Sequence, residues 1–180
     1  MRYALIRKMD ISNGEGVGIS LFVQGCHFHC KGCFNQETWD FDGGKEWNKE
    51  IENKFFELAR QPHIKRISFL GGEPLADENV GTVKDLIYKL KEEMPQKRIW
   101  VYTGYLWEDI MNVYSNKDKT AYVPNLERFA AAVGSDVIVD GRFQFANQDI
   151  NHMKTVWAGS TNQRTIDVKK SLINGNVTLF

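Results

Sequence analysis

Gly18-Ile19-Ser20-Leu21-Phe22-Val23-Gln24-Gly25-Cys26-His27-Phe28-His29-Cys30-Lys31-Gly32-Cys33 is the stretch on which the reading of the whole chain turns. Its first six residues are apolar, β-branched or aromatic and stop just short of a glycine, so they read as a buried strand. Cys26, Cys30 and Cys33 follow at once, spaced C-x3-C-x2-C, and they are the only cysteines in 180 residues. An odd count leaves one thiol unpaired and no secretory pattern is visible, which argues against disulfides. Three thiolates on one short loop suit a soft metal or an iron–sulfur cluster. A cubane with four irons and three protein sulfurs leaves one iron open to a ligand. On spacing alone, zinc held by the three cysteines with His27 or His29 is the alternative.

Working outward, three more short apolar runs read as buried strands: Ile67-Ser68-Phe69-Leu70, Ile99-Trp100-Val101-Tyr102 and Val137-Ile138-Val139. Helical periodicity fills the gaps between them. Trp47, Ile51, Phe55, Leu58 and Ala59 share one face, as do Val80, Val83, Leu86, Ile87 and Leu90, with Pro95 blocking continuation. Leu106, Ile110 and Val113 mark a shorter third helix, and Leu126, Phe129, Ala130 and Val133 a fourth. Residues 115–125 are polar, contain Pro124 and read as an inserted loop.

This alternation predicts an α/β fold of βαβ units around a mainly parallel sheet. At about 30 residues or more per unit there is room for four to six, too few for a closed eight-fold barrel of about 250 residues, so an open, partial (βα) barrel is expected. Residues 3–8 read as an edge strand. Residues 165–168 and 177–180 read as late strands joined by an Asn174-Gly175 hairpin turn. One domain over 1–180 is expected.

Composition narrows the function. Lys plus Arg equals Asp plus Glu at 23 each, so nothing favours nucleic acid. No leader and no long apolar run is visible, which points to a cytoplasmic protein with no membrane segment. The polar motifs fall where chemistry belongs in such a fold. Gly71-Gly72-Glu73-Pro74, Thr103-Gly104-Tyr105 and Asp140-Gly141-Arg142 each follow a predicted strand, as the cysteine loop does. Ligands bind off the carboxyl ends of parallel strands, so these four segments are expected to converge on one rim. Taken alone, Gly71-Gly72 reads rather as a plain turn, and its place at a strand end beside the cysteine loop reverses that reading.

With these motifs in place, the chain resembles the radical S-adenosylmethionine superfamily. Asn13-Gly14-Glu15-Gly16, Leu21-Phe22-Val23-Gln24-Gly25-Cys26, Cys30-Lys31-Gly32-Cys33-Phe34-Asn35, Thr38-Trp39, Tyr102-Thr103-Gly104-Tyr105 and Val139-Asp140-Gly141 together resemble the activating proteins of anaerobic ribonucleoside-triphosphate reductase, from about residue 14 to 168. Gly32 stands where many superfamily members carry an aromatic residue, as it does in this subgroup.

The resemblance implies a shortened radical-SAM core in which Cys26, Cys30 and Cys33 hold a [4Fe-4S] cluster whose fourth iron binds S-adenosylmethionine. No catalytic residue beyond those ligands is implied. Gly71, Gly72 and Glu73 match the segment meeting the methionine amino group, Thr103 and Gly104 a strand end near the ribose, and Gly32 a backbone contact to adenine. Asp140 and Arg142 match a cofactor-touching pair, with a surface ion pair as the bland alternative. Asn162-Gln163-Arg164 matches the subgroup with no role implied. The implied partners are the large subunit of the reductase and a flavodoxin or ferredoxin as electron donor. A pyruvate formate-lyase-type activator, a small radical enzyme acting on a metabolite, and a non-catalytic zinc-binding interaction module are the alternatives.

Overall fold

The computed structural model describes residues 1–112, 126–153 and 155–180. Among the described residues, seven strands form one sheet: β1 (Arg2–Asp10), β2 (Gly18–Val23), β3 (Lys45–Glu46), β4 (Arg66–Gly71), β5 (Arg98–Tyr102), β6 (Val137–Asp140) and β7 (Arg164–Asp167). Their order is β3-β1-β2-β4-β5-β6-β7. The four central strands β2, β4, β5 and β6 are parallel, and β1, β3 and β7 are added antiparallel. The sheet is open, with β3 and β7 at its two edges.

Five α-helices lie among the described residues: α1 (Lys49–Ala59), α2 (Asp77–Glu93), α3 (Trp107–Met111), α4 (Leu126–Val133) and α5 (Val168–Asn174). Local chemistry sets their ends. The Asn48 side chain accepts from Ile51 N–H at 3.0 Å to cap α1. Asp77 and Glu78 occupy the first turn of α2, where the helix dipole favours negative charge. Met94 ends α2, and Pro95 cannot extend it.

Side chains alternate across the central strands. Ile19, Leu21, Val23, Ile67, Phe69, Ile99, Val101 and Ile138 enter the main core with Phe55, Phe56, Val80, Val83, Leu86, Ile87 and Leu90 from α1 and α2. The other face is built differently. One transverse row reads Ser20, Ser68, Trp100, Val137. Among the described residues, no α-helix packs on this row. Segment 12–17 and segment 156–158 do, through a Ser68 hydroxyl that donates to the Asn13 carbonyl at 2.6 Å and a Trp157 ring 5.0 Å from that of Trp100. Asp10 and Arg66, both buried, meet there at 3.0 Å and anchor segment 12–17.

The sheet is open, as expected, and antiparallel strands extend the parallel centre at both edges. Several expectations change. Three parallel crossovers link the central strands, rather than four to six units. The predicted edge strand at 3–8 is the nine-residue β1, and β3 lies outside it. The C-terminal hairpin is absent: residues 168–174 form α5, Gly175 caps it at φ 69°, and 177–180 contributes only an isolated bridge from Leu179 to Ile166. Trp47 precedes α1 rather than sharing its face, and packs edge-on against Tyr3 and Phe55. On α4 the buried residues are Arg128, Ala131 and Ala132, while Leu126 is exposed. Leu106 precedes α3 and is exposed. Val113 and the predicted loop 115–125 lie outside the described residues.

Candidate functional site

The carboxyl ends of β2, β4, β5 and β6 are knitted into one rim. Gly72 N–H donates to the Val23 carbonyl at 2.9 Å, and Glu73 N–H to the Gly25 carbonyl at 2.7 Å, joining the ends of β4 and β2. A side chain at residue 72 would strike the Gly25 backbone, so only glycine permits this approach. The Glu73 carboxylate reaches the end of β5, accepting from the Thr103 hydroxyl at 2.8 Å and from Gly104 N–H at 2.7 Å. Burial pushes its pKa up to about 7, against the opposing hydrogen bonds from Gly104, Leu75 and Thr103 and the charge of Arg128. Asn79 Nδ2 donates to the Gln24 and Glu73 carbonyls at 2.9 and 3.0 Å, tying α2 to the same place.

The cysteine loop arches from this rim. After it, the chain returns alongside its own start: Gly25 and Cys26 N–H groups donate to Thr38 and Trp39 carbonyls at 2.8 and 3.0 Å. Inside the loop His29 adopts a left-handed backbone at φ 45°, with its ring 4.8 Å from that of Trp39. Cys26, Cys30 and Cys33, all half-buried, line one cavity of about 300 Å³ with Gly71, Gly72, Glu73, Thr103, Gly104 and Arg142. Leu70 and Tyr102 also line it, so it opens on the same sheet face as the Ser20–Val137 row. A second hollow of about 660 Å³ adjoins it and shares Phe28, Gly104, Gly141 and Arg142.

The donor set fits an iron–sulfur cluster. Among the described residues, no three His, Cys, Asp or Glu side chains converge on a single ion position. The sulfurs instead share a space. Neither histidine of the loop is set to complete a zinc site: His27 Nε2 lies 3.0 Å from Glu78 Oε1 and its ring packs on Phe41, while His29 packs on Trp39. Burial pushes the Cys26 thiol up to about 11, and burial with the neighbouring Cys33 raises Cys30. Binding a metal group here therefore displaces thiol protons. Two polar atoms on cavity-lining residues, Trp39 Nε1 and the Tyr102 hydroxyl, are buried without a partner among the described residues.

Two further predicted residues sit outside the cavity lining. Asp140 is fully buried, accepting from Trp107 N–H at 2.8 Å and from Arg164 at 2.5 Å. Gly32 has φ 73°, and a Cβ there would come within 2.6 Å of the Phe145 ring, which covers it. Arg142 extends over the Phe28 ring at 4.4 Å.

Residues 12–166 match a family model described as a 4Fe-4S single cluster domain. A protein of Haemophilus influenzae is 34% identical over 165 residues, covering 91% of this chain and 96% of that protein. One of Vibrio cholerae is 34% identical and one of Escherichia coli 33% identical over the same span and shares. Each is named an anaerobic ribonucleoside-triphosphate reductase-activating protein. The chain belongs to this family of activating proteins.

In this member of the reductase-activating proteins, the cavity also draws on residues for which the sequence motifs implied no role. Ser12 and Asn13 come from the β1–β2 connection, and Trp157, Ala158 and Gly159 from a segment far along the chain. Phe28 and Phe34 flank the cysteines, Phe34 lying 5.1 Å from Phe143. Asn79, on α2, holds the rim from behind. The signal available for Asn79 was an amide on the apolar face of a helix, three residues from Ala76 and one before Val80.

Proposed function

We propose that this protein uses a [4Fe-4S] cluster held by Cys26, Cys30 and Cys33 to cleave S-adenosylmethionine and set a glycyl radical on an anaerobic ribonucleoside-triphosphate reductase. The observation that carries the reading is the convergence of three thiols and the Gly71–Thr103 rim on one cavity, in a chain whose relatives are named for activating that reductase.

A [4Fe-4S] cluster held by Cys26, Cys30 and Cys33 would supply, once reduced, the electron for reductive cleavage of S-adenosylmethionine to methionine and the adenosyl-derived radical that would take a hydrogen atom from a glycine of the reductase. The chain's residues bind, orient and exclude water. Gly71 and Gly72 present backbone groups to the methionine amino group without a side chain in the way. Arg142 meets the carboxylate, for which a guanidinium fork is suited. Thr103 and Gly104 flank the ribose. Glu73 fixes the β4 and β5 ends against each other. The apolar rings of Phe28 and Trp157 keep water from the reacting centre.

The parallel strands form the shortened, partial (βα) barrel of a single radical-SAM domain over 1–180. Phe34 and Val156, 64% and 85% exposed at the cavity mouth, suit a protein substrate rather than an enclosed metabolite. A flavodoxin or ferredoxin supplies the electron in the cytoplasm. Among the described residues, no helix is long and apolar enough to cross a membrane.

Anaerobic reconstitution with iron and sulfide tests this. The wild type is expected to hold four irons and to cleave S-adenosylmethionine after reduction, and Cys→Ala at position 26, 30 or 33 to abolish cleavage. Cleavage retained by one of these variants removes that cysteine from the ligand set. A colourless protein with one tightly held zinc refutes the reading.

A further inference from the structure

Asn162, Gln163 and Arg164 are consecutive, and each holds one residue of the turn that leaves β6, in reverse order. Asn162 Nδ2 donates to the Arg142 carbonyl at 2.9 Å, and Gln163 Nε2 donates to the Gly141 carbonyl at 2.8 Å. Arg164 Nε and Nη2 donate to the Asp140 carboxylate at 3.0 and 2.5 Å. The same side chains reach further. Gln163 Oε1 accepts from Gly159 and Ser160 N–H groups at 2.8 and 3.2 Å, which fixes another wall of the cavity. Arg164 also forks onto Glu108 at 2.8 and 2.7 Å, and Trp107 N–H donates to the same Asp140 carboxylate. The 140–142 turn is thus tied to α3, to the β7 entry and to segment 159–160.

What this turn carries is Arg142. Its guanidinium stands 4.4 Å from the Phe28 ring, on the cysteine loop, and it lines the same cavity as Cys30. A long, exposed side chain contributes directed binding only where its backbone is fixed, since otherwise ordering it offsets the contact it makes. Asn162 and Gln163 grip the two carbonyls on either side of the Arg142 peptide N–H, which is where such fixing acts.

We propose that Asn162 and Gln163, backed by Arg164, are positioning residues that set where the Arg142 guanidinium sits in the cofactor cavity. The inference rests on the reading that the cavity takes S-adenosylmethionine and that Arg142 meets its carboxylate. It gives Asn162-Gln163-Arg164 a task exerted through Arg142, although Gln163 itself also lines the cavity.

The test is a double-mutant cycle on binding rather than turnover. The dissociation constant of S-adenosylmethionine is measured for reconstituted wild type, Arg142→Ala, Gln163→Met, Asn162→Ala and each pair that includes Arg142→Ala, with the thermal midpoint recorded alongside. Gln163→Met keeps the length of the side chain and removes its donor and acceptor. The expected result is about tenfold weaker binding for Arg142→Ala and for Gln163→Met, a smaller loss for Asn162→Ala, and no further loss when either is added to Arg142→Ala. Losses that add in full mean that Gln163 or Asn162 acts apart from Arg142 and overturn the proposal, as do variants that bind like wild type. Should Gln163→Met fail to fold, the Asn162→Ala arm alone decides by the same criterion. Wild type that does not bind S-adenosylmethionine fails the reading of the cavity itself, a result distinct from wild type that binds while the variants are unchanged.

Discussion

Asp10 and Arg66 are both fully buried and meet at 3.0 Å, and Arg66 also donates to the Asp10 carbonyl at 2.8 Å and to the Ser68 hydroxyl at 2.7 Å. A buried charge left alone is costly, so Asp10→Asn is expected to destabilise the protein by about 3–5 kcal/mol. Burial by itself raises the Asp10 carboxyl, but hydrogen bonds from Asn13 and Ser12 outweigh it and hold the group well below its ordinary 3.8. The folded state therefore binds fewer protons than the unfolded chain in acid. The stability this group contributes is complete above the ordinary value and falls as pH drops below it. Urea unfolding through the acid range is expected to show that slope in wild type and a flatter one in Asp10→Asn. Equal slopes would remove Asp10 from the account. Gly72→Ala is a second case at this scale. Its Cβ would press on the Gly25 backbone next to Cys26, and an overpacked contact of this kind costs about 1–3 kcal/mol. Lower iron stoichiometry as well as lower stability is expected on reconstitution, and full iron content would show that the two loops do not depend on each other.

Elements differ in how plainly their sequences announce them. β2, β4, β5 and β6 were legible because each is a short apolar run ended by glycine or a polar turn. α1 and α2 were legible because their apolar residues repeat at helical spacing. β1 was only partly legible: its outward residues Arg7, Lys8 and Met9 are exposed, and just Tyr3 and Asp10 are buried, so little alternation shows. α5 was hidden because its buried residues are only Val168 and Ser171, and Asn174-Gly175 serves equally as a hairpin turn or a helix stop. On α4 the buried face carries Arg128, which lies 4.0 Å over the Tyr105 ring and donates to the Leu75 carbonyl at 2.8 Å. An arginine at that position masks the true face. The helices that were legible also give the firmest expectations. Leu90→Ala on α2, at a fully buried position, is expected to cost about 2–5 kcal/mol. Asn48→Ala, which removes the α1 cap, is expected to cost about 1 kcal/mol. Chemical denaturation measures both, and a larger loss from the cap than from the core residue would contradict the packing described.

For the molecule as a whole, the sheet and the cysteine loop are separable in construction. The main core is made by strands and by helices α1 and α2, with Trp107, Ile110, Ala131, Ala132 and Val168 added from α3, α4 and α5, while the loop is held at the strand ends by Gln24 Nε2 donating to the Glu37 carbonyl and by Gly25 and Cys26 N–H groups donating to the Thr38 and Trp39 carbonyls. The site was legible in the sequence to the extent that its residues sit at strand ends: the cysteines, Gly71, Gly72, Glu73, Thr103, Gly104 and Arg142 all reach the cavity. It was not legible where a side chain finds a distant partner, as Asp140 does with Arg164, or where a remote segment such as 156–159 folds over the sheet. Stripping iron with a chelator is expected to leave the far-ultraviolet circular dichroism nearly unchanged and to lower the thermal midpoint only by the linkage of binding to folding, with increased hydrogen exchange confined to about residues 26–41. Global loss of structure on iron removal would contradict this division.

On the proposed function, the cavity at the strand ends makes a radical for another protein's glycine. Reconstituted, reduced protein mixed anaerobically with S-adenosylmethionine and the reductase, and followed by electron paramagnetic resonance, tests it most directly. A stable glycyl radical doublet on the reductase, formed with one 5′-deoxyadenosine per radical and lost in the Cys→Ala variants, is the predicted result. Accumulation of 5′-deoxyadenosine with no radical on an otherwise competent reductase would contradict it.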